Sequence, residues 1–141
     1  MNNYKVILID KTDTNRINQI QKLSDRFYHK DVKISEMHVI FAAERNNEVI
    51  AFAGLACYHG YWCLRLCVVH PKHRGLGLQR LLIQKRMDFL RREKGAEYVN
   101  VWIKPENTYS LNNCIDMGFK FTTEKCRVFH GERHFKLRKY L

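Results

Sequence analysis

The 141-residue chain has the length of one domain, 1–141, and its 45% of hydrophobic residues is enough for a core, which excludes a disordered chain. No apolar run approaches the roughly 18 residues that a membrane span needs, and the amino end lacks the pattern of a secretion signal. Five scattered cysteines, an odd number, indicate free thiols rather than a disulfide framework. The sequence therefore predicts a cytoplasmic protein.

The net charge of +11 is concentrated in two segments. Residues 72–94 contain eight basic and two acidic residues, and residues 120–141 contain seven and two, which gives net charges of +6 and +5. Such segments indicate an anionic ligand or partner, for example phosphate, nucleic acid, an acidic protein or a membrane surface. A basic face that only keeps the protein in solution is the alternative.

The hydrophobic pattern predicts seven strands and three helices. The strands fall at residues 4–10, 38–44, 49–58, 61–70, 97–103, 120–129 and 133–141. The helices run from Asp13 or Thr14 to about Tyr28, from Gly75 to Lys94 and from Asn107 to Met117. The order β-α-βββ-α-β-α-ββ predicts an α/β (α+β) fold with one mostly antiparallel sheet flanked by helices.

The second predicted helix is amphipathic. Leu78, Leu82 and Phe89 define its apolar side at helical spacing. Five basic residues are predicted to occupy much of the rest of its surface: Arg80, Lys85, Arg86, Arg91 and Arg92.

The segment VVHPKHRGLGLQRLL, residues 68–82, joins a strand to this helix. The start of a helix presents unpaired backbone N–H groups and the positive end of the helix dipole, which together bind phosphate well. Gly75 and Gly77 allow the backbone to approach an anion, and Arg74 can bind phosphate oxygens. Lys72, His73 and Arg80 add positive charge. The segment predicts a phosphate-binding loop, although two glycines can also serve a turn alone.

Two motifs make the chain resemble the GNAT superfamily of N-acetyltransferases. The first is Arg74-Gly75-Leu76-Gly77-Leu78-Gln79, which is similar to the family's R-x-x-G-x-G/A motif except that Gln79 stands where glycine or alanine is usual. The second is NTYSLNNCIDMGF, residues 107–119, with an asparagine before a short helix that ends in Gly-Phe. The resemblance covers essentially the whole chain.

The resemblance implies that acetyl-CoA is the co-substrate. Its pyrophosphate would lie on the residues from Lys72 to Arg80, and its pantetheine arm beside Leu66, Cys67 and Val68. Asn107 and Ser110 are implied to complete the binding site. Backbone N–H groups at Cys67 or Val68 would stabilise the oxyanion.

The resemblance leaves the proton-transfer residues open. The family's general acid is often a tyrosine seven residues after the asparagine, where this chain has Cys114. Cys114 is therefore a candidate general acid, and the alternative is that it is only a small buried residue. Tyr109 is a second candidate acid. Asn107 is a further candidate catalytic residue. The strand at 61–70 has no carboxylate to act as general base. The candidate bases are Glu36, His38, Glu44, His59 and His70, and the alternative is that the reaction needs no base.

Two further clusters carry weaker signals. The cysteines and histidines between Cys57 and His73 do not have the spacing of structural zinc ligands, so no metal is expected. Tyr58, Tyr61 and Trp62 meet at one hairpin turn, where they line an acceptor pocket or simply pack.

Two hypotheses therefore stand. In the first, the chain is an acetyl-CoA-dependent N-acetyltransferase with an unidentified amine acceptor. The basic charge of the protein favours an acceptor that is macromolecular or anionic. In the second, a catalytically weak GNAT scaffold binds nucleic acid or an acidic partner through Lys136, Arg138 and Lys139. No sequence motif for reading nucleic acid supports the second, and neither involves a membrane.

Overall fold

The computed structural model describes residues 3–141, apart from the side chains of Glu36 and Lys125. Its seven strands are β1 (Lys5–Leu8), β2 (Val39–Arg45), β3 (Glu48–Tyr58), β4 (Tyr61–Val69), β5 (Tyr98–Ile103), β6 (Lys120–Phe129) and β7 (Glu132–Tyr140). Its helices are α1 (Thr14–Phe27), α2 (Leu78–Glu93) and α3 (Thr108–Asp116). None of these helices is both long and apolar enough to span a bilayer.

The predicted fold class and element order are confirmed. The seven strands form one sheet in the order β1-β2-β3-β4-β5-β7-β6, in which only β4 and β5 run parallel. Helix α2 begins three residues later than predicted because Gly75 and Gly77 have positive φ angles, 77° and 79°. Strand β1 ends before the predicted residue 10, where the Asp10 carboxylate accepts a hydrogen bond from the Thr12 amide.

The helices cover opposite faces of the sheet. Successive residues of β2 point to opposite faces of the sheet, so that Ile40 packs with α1 on one face and Phe41 packs with α2 on the other. Leu82 of α2 is fully buried against small side chains of β2 and β3, which let the helix approach the sheet closely. Helix α3 joins α2 over the half of the sheet formed by β4, β5 and β7.

The sheet opens between its two parallel strands. Strands β4 and β5 pair at the single bridge between Cys63 and Asn100. Further along β4, Leu66 has a φ of 47°, and the pairing with β3 shifts there, so that Ala53 faces Cys67 whereas Gly54 faces Arg65. Such a bulge re-aims a strand and is common beside active sites. The gap that follows it holds the cavity described below.

The prediction that Arg86 lies on the exposed basic surface of α2 is wrong. The helical pattern places it with the exposed basic residues, but its side chain is only 2% exposed. Three backbone carbonyls accept hydrogen bonds from its guanidinium: Leu82, Gly54 and Leu66. The alternation of polar and apolar residues could not reveal these partners, because two of them lie on β3 and β4.

Candidate functional site

The start of α2 differs from the starts of the other two helices. The Asp13 side chain caps α1 by accepting from the Arg16 amide, and the Asn107 side chain caps α3 by accepting from the Ser110 amide. Helix α2 begins after Gly77 without a side-chain cap, and like the other two helices it has no acidic residue in its first turn. Its first N–H groups and the positive end of its dipole are therefore available to an anion.

The loop before α2 is shaped by its two glycines. A Cβ atom added at Gly75 or Gly77 would meet no atom within 4 Å, so these positions need glycine for its positive φ and not for space. Arg74 is fixed beside them, because its Nε donates to the carbonyl oxygen of Val69 at 3.1 Å. Its terminal nitrogens have no partner among the described residues and are free for a ligand.

Two adjoining cavities lead away from this loop. The first, the loop cavity, has a volume of about 500 Å³ and is lined by His73, Arg74 and Gly75. The second, the strand cavity, has about 240 Å³ and lies between β4 and β5. The two share five lining residues: Tyr28, Cys67, Gln79, Asn107 and Ser110. An elongated ligand can thus enter at the loop and continue between the strands.

The structure brings most of the predicted cofactor residues together. Ten of them line one or both cavities: Leu66, Cys67, Val68, His73, Arg74, Gly75, Leu78, Gln79, Asn107 and Ser110. Four others line neither cavity: Lys72, Leu76, Gly77 and Arg80. Gly77 instead forms the start of α2.

Gln79, the departure from the family motif, ties α2 to α3. It is 8% exposed; its Nε2 donates to Ser110 Oγ at 2.9 Å, and its Oε1 accepts from Asn113 Nδ2 at 2.6 Å. Arg80 extends the network, since it donates to Asn113 Oδ1 at 2.8 Å and pairs with Asp116 at 2.5 Å. The glutamine side chain therefore points into the helix interface, where it fixes the wall shared by the two cavities.

The candidate acids differ in position and chemistry. Cys114 lines the strand cavity, is 3% exposed, and has its pKa raised by burial to about 11. Transfer of its proton to a thiolate with an ordinary pKa of about 8.5 would be uphill by roughly 3 kcal/mol. Tyr109 is 56% exposed and lines only the loop cavity. Asn107 lines both cavities but uses its side chain to cap α3.

None of the described candidate bases lines either cavity. His38 accepts from the Cys57 amide, His70 accepts from the Lys72 amide, and Glu44 pairs with Arg16. His59 lies in the turn between β3 and β4, and the side chain of Glu36 is outside the described part of the chain. Of the four described positions, His70 comes nearest, since its ring packs against Phe27 and His73 of the loop cavity at centroid distances of 4.8 and 5.8 Å.

His134 is the cavity histidine that the sequence pattern did not single out. It lines the strand cavity from β7, and its Nδ1 lies 3.0 Å from the carbonyl oxygen of Glu132. A carbonyl oxygen only accepts, so this contact requires the proton on Nδ1, and in the neutral imidazole the lone pair is then on Nε2. Nothing in the sequence shows that β7, and not β6, lies beside β5, so the position of His134 could not be foreseen.

The cavities contain an excess of positive charge. No aspartate or glutamate among the described side chains lines them, whereas Arg74, Arg86 and Lys104 do. Glu132, which lines neither cavity, pairs with Lys104 at 2.5 Å, and the pKa of this carboxyl is lowered by that hydrogen bond. The arrangement suits an anionic ligand.

The remaining clusters lie outside the cavities. Within residues 3–141 no group of three potential metal ligands is formed, and the five cysteines are free thiols. Tyr61 stacks on Tyr98, Trp62 lies under Lys94, and Tyr58 packs beside His38. These three aromatic residues of the hairpin turn line neither cavity.

Comparison with known proteins gives a consistent family. The sequence profile described as "Acetyltransferase (GNAT) family" matches residues 8–119. No curated protein sequence matches the chain significantly.

Many solved structures share the fold. Aminoglycoside 6'-acetyltransferase type Ii superposes with a TM-score of 0.83 at 14% identity, covering 96% of each chain. YncA, a putative acetyltransferase from Salmonella typhimurium with its cofactor acetyl-CoA, gives 0.74 at 20% identity, covering 99% of this chain and 95% of that one. The NatC complex bound to Gag peptide and CoA gives 0.78 at 18% identity, covering 98% of each. At these identities the likeness establishes the fold.

Proposed function

The chain belongs to the GNAT family of acetyltransferases, and from this premise we propose that it transfers the acetyl group of acetyl-CoA directly to a primary amine. The observation that carries the proposal is the uncapped start of α2 beside Arg74, which opens onto a cavity that continues between β4 and β5. Anion binding and an elongated path thus occur at one place.

The residues present fit acetyl-CoA. The amides that begin α2, with Arg74 and His73, would hold the pyrophosphate, and Leu66, Cys67 and Val68 would line the pantetheine arm. When bound, acetyl-CoA supplies a thioester: the amine nitrogen bonds to its carbonyl carbon, the carbon–sulfur bond breaks, and the electron pair leaves on sulfur. Backbone N–H groups at Cys67 or Val68 would stabilise the oxyanion.

The ammonium group of the acceptor must lose a proton before its nitrogen can attack. His134 is the described histidine on the strand cavity, and its Nε2 keeps a lone pair when Nδ1 donates to Glu132. Imidazoles titrate near neutral pH and are the commonest bases in enzymes. We assign His134 as the general base in place of the candidates that the sequence suggested.

The charge of the cavities favours an acceptor that carries a negative group. Some family relatives act on polycations, as the names of aminoglycoside 6'-acetyltransferase and spermidine/spermine N-acetyltransferase state. Several positive side chains on an acceptor would require carboxylates in its pocket, and the described lining of these cavities has none. An amine next to a carboxylate or phosphate would meet Lys104 instead, which would then share its ammonium group between Glu132 and the acceptor.

The binding-module hypothesis has less structural support. Lys136 pairs with Glu124, and Arg138 donates to Asn100 and covers the ring of Tyr98 at 3.9 Å. The Lys139 side chain lies on the opposite face of β7, next to Gly118. The three cations therefore do not form one surface for a polyanion.

The substitution Arg74→Glu is expected to weaken acetyl-CoA binding at least tenfold, because a charge-assisted hydrogen bond to phosphate contributes about 1.5–3 kcal/mol and the new carboxylate repels it. Isothermal titration calorimetry with acetyl-CoA measures the change. Arg92→Glu is the matched control, since it alters the net charge equally but lies about 20 Å along the helix from the loop. Equal affinities for both variants and the parent would refute the assignment of the loop.

The substitution His134→Ala is expected to lower kcat/KM by about 100-fold or more, the usual contribution of a general base, without a comparable loss of acetyl-CoA affinity. Imidazole added to the reaction should restore part of the lost rate. His59→Ala, in an exposed turn, should leave the rate unchanged. An active His134→Ala variant, or an inactive one that imidazole does not rescue, would argue against His134 as base.

An amino acid is expected to be a better acceptor than its own amide by about tenfold, because only the acid offers a negative group to the positive pocket. Release of the CoA thiol, followed colorimetrically with acetyl-CoA and either acceptor, gives the ratio of kcat/KM values. Spermidine should be a poor acceptor in the same assay. Preference for the amide or for spermidine would overturn the proposed acceptor class.

A further inference from the structure

Arg86 is a buried cation without a charged partner. Its side chain is 2% exposed, and no ion pair with it is formed by the carboxylates of the described residues. Burial lowers the pKa of Arg86, but an arginine stays protonated in proteins. A charge removed from water in this way is costly unless an opposite charge compensates for it.

The neutral partners of Arg86 explain its position but not its charge. Nε donates to the Leu82 carbonyl at 3.1 Å, and Nη1 donates to the carbonyls of Gly54 at 3.1 Å and Leu66 at 3.4 Å. These bonds attach α2 to the bulge of β4. A neutral amide side chain could donate to carbonyls as well, without the cost of burying a positive charge.

The place of Arg86 in the fold points to a ligand. Its side chain lines the strand cavity and not the loop cavity. The titratable groups that face Arg86 are Cys67 of β4 and Cys114 of α3. Burial raises the pKa of both thiols, so neither supplies a negative charge at neutral pH. The other titratable groups on the cavity are Tyr28, Lys104 and His134.

We propose that Arg86 compensates the negative charge that acetyl transfer leaves on the sulfur of CoA, so that CoA departs as a thiolate paired with the buried guanidinium. The inference rests on the proposed function, which places the thioester end of acetyl-CoA in the strand cavity. The carbon–sulfur bond breaks with its electron pair on sulfur, and the new carbon–nitrogen bond forms. The ammonium nitrogen loses two protons: the first goes to His134 before attack, and the second goes to water as the amide forms. No proton donor to sulfur is then required, and Cys114 keeps its proton.

The test compares the binding of CoA with that of desulfo-CoA, which lacks the thiol, over the range from about pH 6 to pH 9. A cation beside the sulfur lowers the pKa of the bound thiol below that of free CoA. Binding then releases a proton, so the affinity for CoA rises with pH between the two pKa values. The preference for CoA over desulfo-CoA should therefore grow with pH, by tenfold for each unit by which the pKa is lowered.

Two variants and a control assign this preference to Arg86. In Arg86→Met the ratio of the two affinities should stay constant with pH while both nucleotides still bind, and Arg86→Lys should keep part of the rise. Arg92→Met, on the exposed side of the same helix, should behave as the parent does.

The outcomes separate this proposal from the proposed function. A constant ratio in the unmodified protein, with both nucleotides bound, would overturn the role of Arg86 and leave the acetyl-CoA site intact. This result decides the question even where Arg86→Met does not fold. A rise that persists in a folded Arg86→Met variant would also overturn it. Failure of the unmodified protein to bind either nucleotide would instead refute the proposed function, and this inference with it.

Discussion

The hydrogen bonds from Arg86 to the bulge of β4 are the interaction on which the site depends. Leu66 has a left-handed backbone conformation, which costs a leucine about 1–2 kcal/mol and persists only when its surroundings impose it. The guanidinium contacts the carbonyls of Leu66 and Gly54 from α2 and so supports the bulge on both strands. Because β4 turns at this point, it pairs with β5 only at Cys63 and opens the strand cavity.

Helix α2 presents positive charge at two places, at its start and two turns further along. At the start of α2 the unpaired N–H groups and Arg74 offer a site for phosphate, and two turns later Arg86 faces the strand cavity from inside the core. Gln79, between them, holds α2 against α3 through Ser110 and Asn113. One rigid helix therefore relates the site that we propose for the phosphates of acetyl-CoA to the place where we propose that charge develops during acetyl transfer.

The features that depend on local sequence could be predicted, and those that depend on the pairing of distant segments could not. The order of strands and helices and the loop around Gly75 and Gly77 follow from periodicity and from glycine at a strand–helix junction. Burial of Arg86 could not be predicted, because its acceptors come from strands that are distant in sequence. His134 was missed because its position depends on β7 pairing with β5. The bulge at Leu66 has no sequence signal, since leucine rarely adopts a positive φ.

The central claim is that a single path leads from the uncapped start of α2 to the gap between β4 and β5 and binds acetyl-CoA. It is tested most directly by following the backbone amides of the isotope-labelled protein by NMR during titration with acetyl-CoA. Saturable shifts should appear at residues 74–80 and at Leu66, Cys67 and Val68, and the exposed hairpin turn around His59 should be unaffected. Absence of saturable shifts in both segments, or shifts confined to the basic residues of β7, would contradict the claim.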